Sequence, residues 1–270
     1  MMVQNKSLQE LKDNKKMSLE SQDEAFLVDD KKDTAPEKTE NSVATNLTAA
    51  NFRGHSLNGA NLRKASLNRA DLSRAELVGS DLHQANLIGA FLTEANLRGA
   101  NLSKANLRNA HLGHAQLTKV NFNGANLNRA YLRNASLNHS DLSCGDFQDA
   151  FLHGAQLNQA NLSGARLQRA DLNNASLVKA NLEAVDLRDA QLIGANLKNT
   201  NLQGAILWRT DFTGANLKGA NVQKARFGAN LGIPESMKKD LVKRGAVFED
   251  SPPDDFSWFE NTVPEDHYFD

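Results

Sequence analysis

The sequence predicts an all-β repeat solenoid, a chain wound around one apolar axis with four pentapeptides to the coil. Three observations lead there. From Leu47 to Phe227 every fifth residue is Leu, Phe or Val, without a slip of phase. Nearly every residue two places earlier is Ala. A slower order of 20 runs through the positions just before the central residue, where Phe91, His111, Tyr131 and Phe151 follow one another.

The period of five excludes the two regular structures. Five residues advance an α-helix by about 500°, so successive Leu side chains would spiral around the whole rod. In a straight strand an odd period sends them to opposite faces. The chain must therefore turn once per pentapeptide, which lets every Leu point at a common axis and buries a core that no single repeat could bury alone. The number of repeats per coil follows from the outward residues. At a spacing of 20, Arg129, Asp149, Arg169, Asp189 and Arg209 alternate in sign. At a spacing of 15 the aromatic series becomes Phe91, Asn106, Asn121 and the order is gone. With strands about 4.8 Å apart, about nine four-sided coils make a rod about 45 Å long.

The repeat, as in Ala60-Asn61-Leu62-Arg63-Lys64 or Ala125-Asn126-Leu127-Asn128-Arg129, resembles the A(D/N)LXX signature of the pentapeptide-repeat family, over about residues 45 to 230. The resemblance implies a right-handed quadrilateral β-helix in which the central residue and the one two before it point inward. The unbroken rod followed by Pro234-Glu235-Ser236 is similar to cyanobacterial members, which implies a regulatory or assembly role.

Thirty-one of the 37 central residues are Leu, and burying each stabilises by roughly 1.5 to 3 kcal/mol before conformational entropy is subtracted. Ala two places earlier suits a crowded corner, and the exceptions Val120, Val185, Thr200 and Thr210 stay small. His55 departs from this near the amino-terminal end. Asn or Asp before the Leu bonds the adjoining turn and forms ladders such as Asn61, Asp81, Asn101 and Asn121, which read as structural.

Composition changes at both ends of the repeats. Residues 1–44 are polar and mixed in charge and read as a mostly disordered tail with one short helix near Ser18 to Val28. No stretch there suits a signal peptide, and none in the chain would span a membrane as a helix. Residues 231–248 read as a helix beginning at Pro234-Glu235-Ser236 and ending near Gly245, with Met237, Leu241 and Val242 as its apolar stripe. It is expected to cover the last coil, whose edge and apolar cross-section would otherwise be open, and to cover Ile206 and Trp208 with it. Homodimerisation through that end is the alternative. Residues 249–270 form an acidic aromatic tail. A single cysteine, Cys144, excludes an intramolecular disulfide and fits the reducing cytoplasm, and it faces outward as a free thiol.

The net charge of −1 hides an uneven distribution. Residues 45–230 carry 20 Lys and Arg against 12 Asp and Glu, whereas both tails are acidic. The column from Arg129 to Arg209, and beside it Asp146, Arg166 and Asp186, read first as cross-coil ion pairs that fix register.

No catalytic arrangement stands out: the solenoid histidines lie on different coils, and HExxH, GxSxG and GxxxxGK[ST] are missing. No Cys/His cluster suggests a metal, and no cofactor is implied. The expected class is a non-enzymatic protein–protein interaction scaffold or adaptor. Its candidate partner-binding residues are Phe91, His111, Tyr131 and Phe151, rimmed by His114, Arg133 and His153. An aromatic ladder that only reinforces the rod is the competing reading. Phe256, Trp258 and Phe259 in the acidic tail form a second candidate, a recognition segment or a strap on the basic rod. The resemblance also brings in the DNA-mimicking modulators of DNA gyrase, but a basic rod has the wrong sign for a polyanion. Direct nucleic-acid binding suits the charge, yet much of the Arg is matched by Asp.

Overall fold

The computed structural model describes residues 45–250. One local unit recurs throughout: a central residue, a two-residue turn, a small residue and a bridging residue. The N–H of the small residue donates to the carbonyl of the central residue three before it, as in Ala65 to Leu62 at 3.1 Å. The second turn residue has positive φ in every repeat from Ala49 to Ala229, while the first never does. These are type II turns. Many of them hold a non-glycine residue there, such as Lys64, Arg129 or Lys179, and each such residue costs roughly 1–2 kcal/mol. The stacking of coils has to offset that strain.

It does so through bridges joining residue i to residue i+20 in parallel, as in Asn61 to Asp81 to Asn101. The central N–H donates to one neighbouring coil, Leu62 to the Asp81 carbonyl at 2.7 Å, and the bridging N–H donates to the other, Asp81 to the Ala60 carbonyl at 2.9 Å. Every central residue from Leu47 to Phe227 is buried. Hydroxyls at the small position are buried too, and each donates to a backbone carbonyl: Ser80 to Leu77, Ser140 to Leu117, Thr200 to Leu197 and Thr210 to Leu187. The side chain before the central residue accepts from the N–H two residues on, as Asn61 does from Arg63 at 3.2 Å. It also passes an amide bond to the next coil: Asn181 to Asn161, Asn201 to Asn181 and Asn221 to Asn201, at 3.0–3.1 Å.

The carboxyl-terminal end departs from the pattern. Strands β1 (Ile206–Trp208), β2 (Arg226–Gly228) and β3 (Val247–Phe248) form a parallel sheet in that order. Helix α1 (Glu235–Lys243) lies between β2 and β3 in sequence, with Pro234 at its N-cap. Leu241 is fully buried in the core and Met237 packs against it. Val242, expected in the same apolar stripe, is 50 % exposed: it lies about 100° from Leu241 around the helix, whereas Met237 is one turn behind on the same face. Ile206 and Trp208, expected to face outward under cover, divide: Ile206 is buried, and Trp208, half-buried, lies over Gly228. The backbone groups of the last coil find partners in the same segment. Arg244 Nη1 donates to the carbonyls of Ala220 at 2.9 Å and Leu217 at 3.3 Å, and Lys224 N–H donates to Gly245. Phe248 stacks on Phe227 with centroids 5.0 Å apart.

The charged columns are less regular than the alternation of signs suggested. Arg169 grips Asp149 with two bonds at 2.7 and 2.9 Å, and Arg209 meets Asp189 at 2.8 Å, so four members of this column pair off and Arg129 makes no ion pair among the described residues. In the second column Arg166 bonds Asp146 at 2.8 Å, but Asp186 does not join them. Asp186 is buried and held by Arg188, two residues on in its own turn, and by Gln168 at 2.6 Å. Proximity within the turn wins over the cross-coil partner. The hydrogen bond and charge of Arg169 hold the Asp149 carboxyl below the ordinary aspartate range.

Gly99 has open space where a Cβ would go and φ of +66°, so Gly99→Ala is expected to cost about 0.5–1 kcal/mol, the left-handed penalty less the entropy it removes from the unfolded chain. Gly228→Ala is expected to cost roughly 2–4 kcal/mol, because its Cβ would overlap the Trp208 ring and lie 2.6 Å from the Glu249 carbonyl. Hydrogen exchange separates the two: the Val247 and Glu249 amides speed up in Gly228→Ala and not in Gly99→Ala. A side-chain NMR titration is expected to place Asp149 below the usual range in the wild type and return it there in Arg169→Gln. A depressed carboxyl adds stability above its unfolded pKa, and that contribution fades as pH falls through the folded value.

Candidate functional site

The candidate site is a column that begins at Asn51 and continues every 20 residues, each member bridged to the next. Its middle is Phe91, His111, Tyr131 and Phe151, with Asp71 before and Asp171 after. Because bridged residues sit one strand spacing apart with the same orientation, their rings are brought face to face by the backbone itself. Centroid distances are 5.1 Å for Phe91–His111, 4.7 Å for His111–Tyr131 and 4.8 Å for Tyr131–Phe151, with planes 4–16° apart. Each contact is worth about 0.5–1.5 kcal/mol beyond area burial.

Stacking occupies the ring faces and leaves the edges in solvent. Phe91, Tyr131 and Phe151 are 44 %, 42 % and 42 % exposed, and His111 is half-buried between them. The same four residues thus stack from coil to coil and present an exposed aromatic surface. The same side carries more apolar area than that. Of the eight exposed large hydrophobic residues among those described, Phe91, Tyr131, Phe151, Ile193 and Leu231 all stand on it. Ile193 and Leu231 were not singled out from the sequence, although steps of 20 from His153 and Phe151 reach them.

Arg133 is exposed two residues after Tyr131, His153 is half-buried two residues after Phe151, and His114 is exposed on the turn after His111. They border the ladder. Toward the amino terminus the border is an ion pair, Arg74 to Glu94 at 2.9 Å. The bond and charge of Arg74 hold Glu94 below its ordinary range. Phe256, Trp258 and Phe259 lie outside the described residues.

The rest of the surface offers little chemistry. Among the described residues no group of three or more His, Cys, Asp or Glu could hold a metal ion. His83 Nδ1 lies 2.7 Å from Ser103 Oγ, and that hydroxyl bonds Asn101 Oδ1 at 2.7 Å. Burial lowers the His83 pKa, and no described carboxylate hydrogen-bonds the other ring nitrogen, so the pair lacks the orienting third group that a nucleophile–base pair uses. The Cys144 thiol is free and exposed. No helix among the described residues is long and apolar enough to cross a membrane.

The family model for pentapeptide repeats matches residues 43–77, 75–113, 115–154, 150–189 and 190–228. Among solved structures, HetL, a pentapeptide repeat protein involved in heterocyst differentiation regulation in the cyanobacterium Nostoc sp. strain PCC 7120, is 34% identical. The match covers 67% of this chain and 86% of HetL, with a TM-score of 0.35. A pentapeptide repeat protein of the Arabidopsis thaliana thylakoid lumen is 37% identical over 37% of this chain and 69% of its own, with a TM-score of 0.36. QnrB1, a plasmid-mediated fluoroquinolone resistance protein, is 18% identical over 74% of this chain and 95% of its own, with a TM-score of 0.36. Superpositions this loose carry no argument about overall shape, and no curated protein matches the chain. The repeat model spans most of the chain, and its period is the one the bridges display: the chain belongs to the pentapeptide-repeat family, whose fold is the β-helix solenoid.

Proposed function

We propose that this chain is a non-enzymatic protein-interaction scaffold that binds a protein partner through the side bearing Phe91, His111, Tyr131 and Phe151. The rod is read as a right-handed quadrilateral β-helix of about nine coils over residues 45–230. The segment 231–248 closes its carboxyl-terminal end, residues 1–44 and 249–270 are tails, and the cytoplasm is its proposed compartment. The observation that carries the reading is the concentration of exposed apolar side chains on one side of a surface otherwise built from Asn, Gln, Ser and charged residues. Large aromatic side chains whose rotamers are already fixed by stacking lose little entropy on binding, which favours them as anchors. Arg133 and the histidines beside them supply the polar rim.

A regulatory or assembly adaptor is the finer form of this proposal, and the regulatory involvement of HetL agrees with it. Gyrase modulation by DNA mimicry fits less well, because the repeats carry more Lys and Arg than Asp and Glu. Homodimerisation through the carboxyl-terminal end is disfavoured by the partners that α1, β3 and Arg244 give to the last coil.

Affinity capture on the full chain, followed by binding of the purified partner, tests the proposal. Tyr131→Ser with Phe151→Ser is expected to weaken the purified complex at least tenfold, about 1.4 kcal/mol, with circular dichroism unchanged. Undiminished binding by the folded double variant overturns it. Tyr131→Leu with Phe151→Leu, which keeps apolar area and loses stacking, is expected to fall between.

A further inference from the structure

In the carboxyl-terminal half of the rod the cations left without an ion pair collect mainly on one side. The side that follows the aromatic one along the chain bears Arg98, Lys119, Lys179, Lys198 and Lys218 on its turns, and one carboxylate, Glu76. All five cations are exposed. Among the described residues none of them makes an ion pair or a side-chain hydrogen bond. Glu76 is engaged elsewhere, accepting from Asn96 Nδ2 at 2.7 Å. The contrast is with the side that carries Asp149 and Asp189, where Arg166, Arg169, Arg188 and Arg209 find carboxylates and only Arg69, Arg108 and Arg129, nearer the amino terminus, do not. Lys198 and Lys218 stand in one column on successive coils, and Lys179 lies on the neighbouring turn position of the coil before them, so three like charges fall within about two strand spacings along the rod. Rows of like charge at that spacing repel one another and favour any anion that lies along them.

The chain holds one candidate of matching sign. Residues 251–270 carry six carboxylate side chains and no Lys or Arg. They start at this end of the rod on the side of Arg226, opposite the lysines and half a coil away, since Glu249 N–H bonds the Phe227 carbonyl at 2.8 Å and its side chain bonds Arg226 at 2.7 Å. Fully extended, 20 residues span at most about 70 Å, whereas the three lysine coils cover about 10 Å of the rod. Reach is ample. Trp258 and Phe259, between Asp255 and Glu260, can add cation–π contact to an ammonium group where carboxylates bring it close.

We propose that residues 251–270 dock on the cationic side of their own rod, with carboxylates of the segment paired to Lys179, Lys198 and Lys218. The docked segment occupies the surface that a polyanion would otherwise use, and it leaves the aromatic side free. The inference stands on charge and position alone and does not depend on the function proposed for the aromatic ladder.

Zero-length carbodiimide coupling on the full chain, read by mass spectrometry, tests it, because that reagent joins an ammonium to a carboxylate only where the two are in contact. Mixing isotopically light and heavy protein distinguishes links within a chain from links between chains. The expected result is intrachain links from Asp254, Asp255 or Glu260 to Lys179, Lys198 or Lys218, lost in about 1 M salt, where the screening length falls to about 3 Å. The proposal is overturned by an absence of such links, by links spread equally to Lys64 and Lys104 on another side, or by links found only between chains. It is overturned as well if added duplex DNA protects the same three lysines while the tail links persist elsewhere.

Discussion

The bridge between residue i and residue i+20 is the contact on which everything else in this protein depends. Each repeat holds a type II turn with φ positive at its second residue, often with a side chain that disfavours that conformation. No pentapeptide could sustain such a turn alone. The central N–H donating to one coil and the bridging N–H donating to the other bind the repeats inside the rod on both sides, and the Leu column removes the interior from water. Backbone pairing and apolar burial thus act within the same five residues, the central residue taking part in both.

The same constraint organises the surface. Any side chain repeated at a spacing of 20 meets its own kind at one strand spacing, so chemistry that would be scattered in a globular domain is collected into columns. Amides become a ladder through Asn161, Asn181, Asn201 and Asn221, and aromatic residues become a stack through Phe91, His111, Tyr131 and Phe151. Opposite charges become pairs. Lys198 and Lys218 are an informative exception, since like charges stacked on successive coils gain nothing from each other and must be tolerated for another reason or neutralised by something that lies over them.

The carboxyl-terminal end shows what a solenoid needs beyond repetition. A coil inside the rod has neighbours on both sides, whereas the last one exposes carbonyls, N–H groups and a Phe-rich cross-section. Here Arg244 bonds two of those carbonyls, Gly245 accepts from Lys224, and Phe248 continues the stack begun by Phe212 and Phe227. The phase of five breaks where these specialised contacts begin, because a further identical repeat would only move the open edge outward.

Much of this was legible in the residues. The period of five determined the solenoid and named its core, because an odd spacing of apolar residues has no single buried face in a helix or a straight strand. The spacing of 20 determined which outward residues become neighbours, and so put the aromatic ladder on one side of the rod. What only the tertiary structure decided are the choices among near-equal partners. Asp186 takes Arg188 rather than Arg166, Val242 turns to solvent while Leu241 enters the core, and the ladder rings lie flat on one another with their edges outward. Those outcomes turn on rotamers and on local distances of an ångström or two, which a repeat in the sequence brings within reach but does not select.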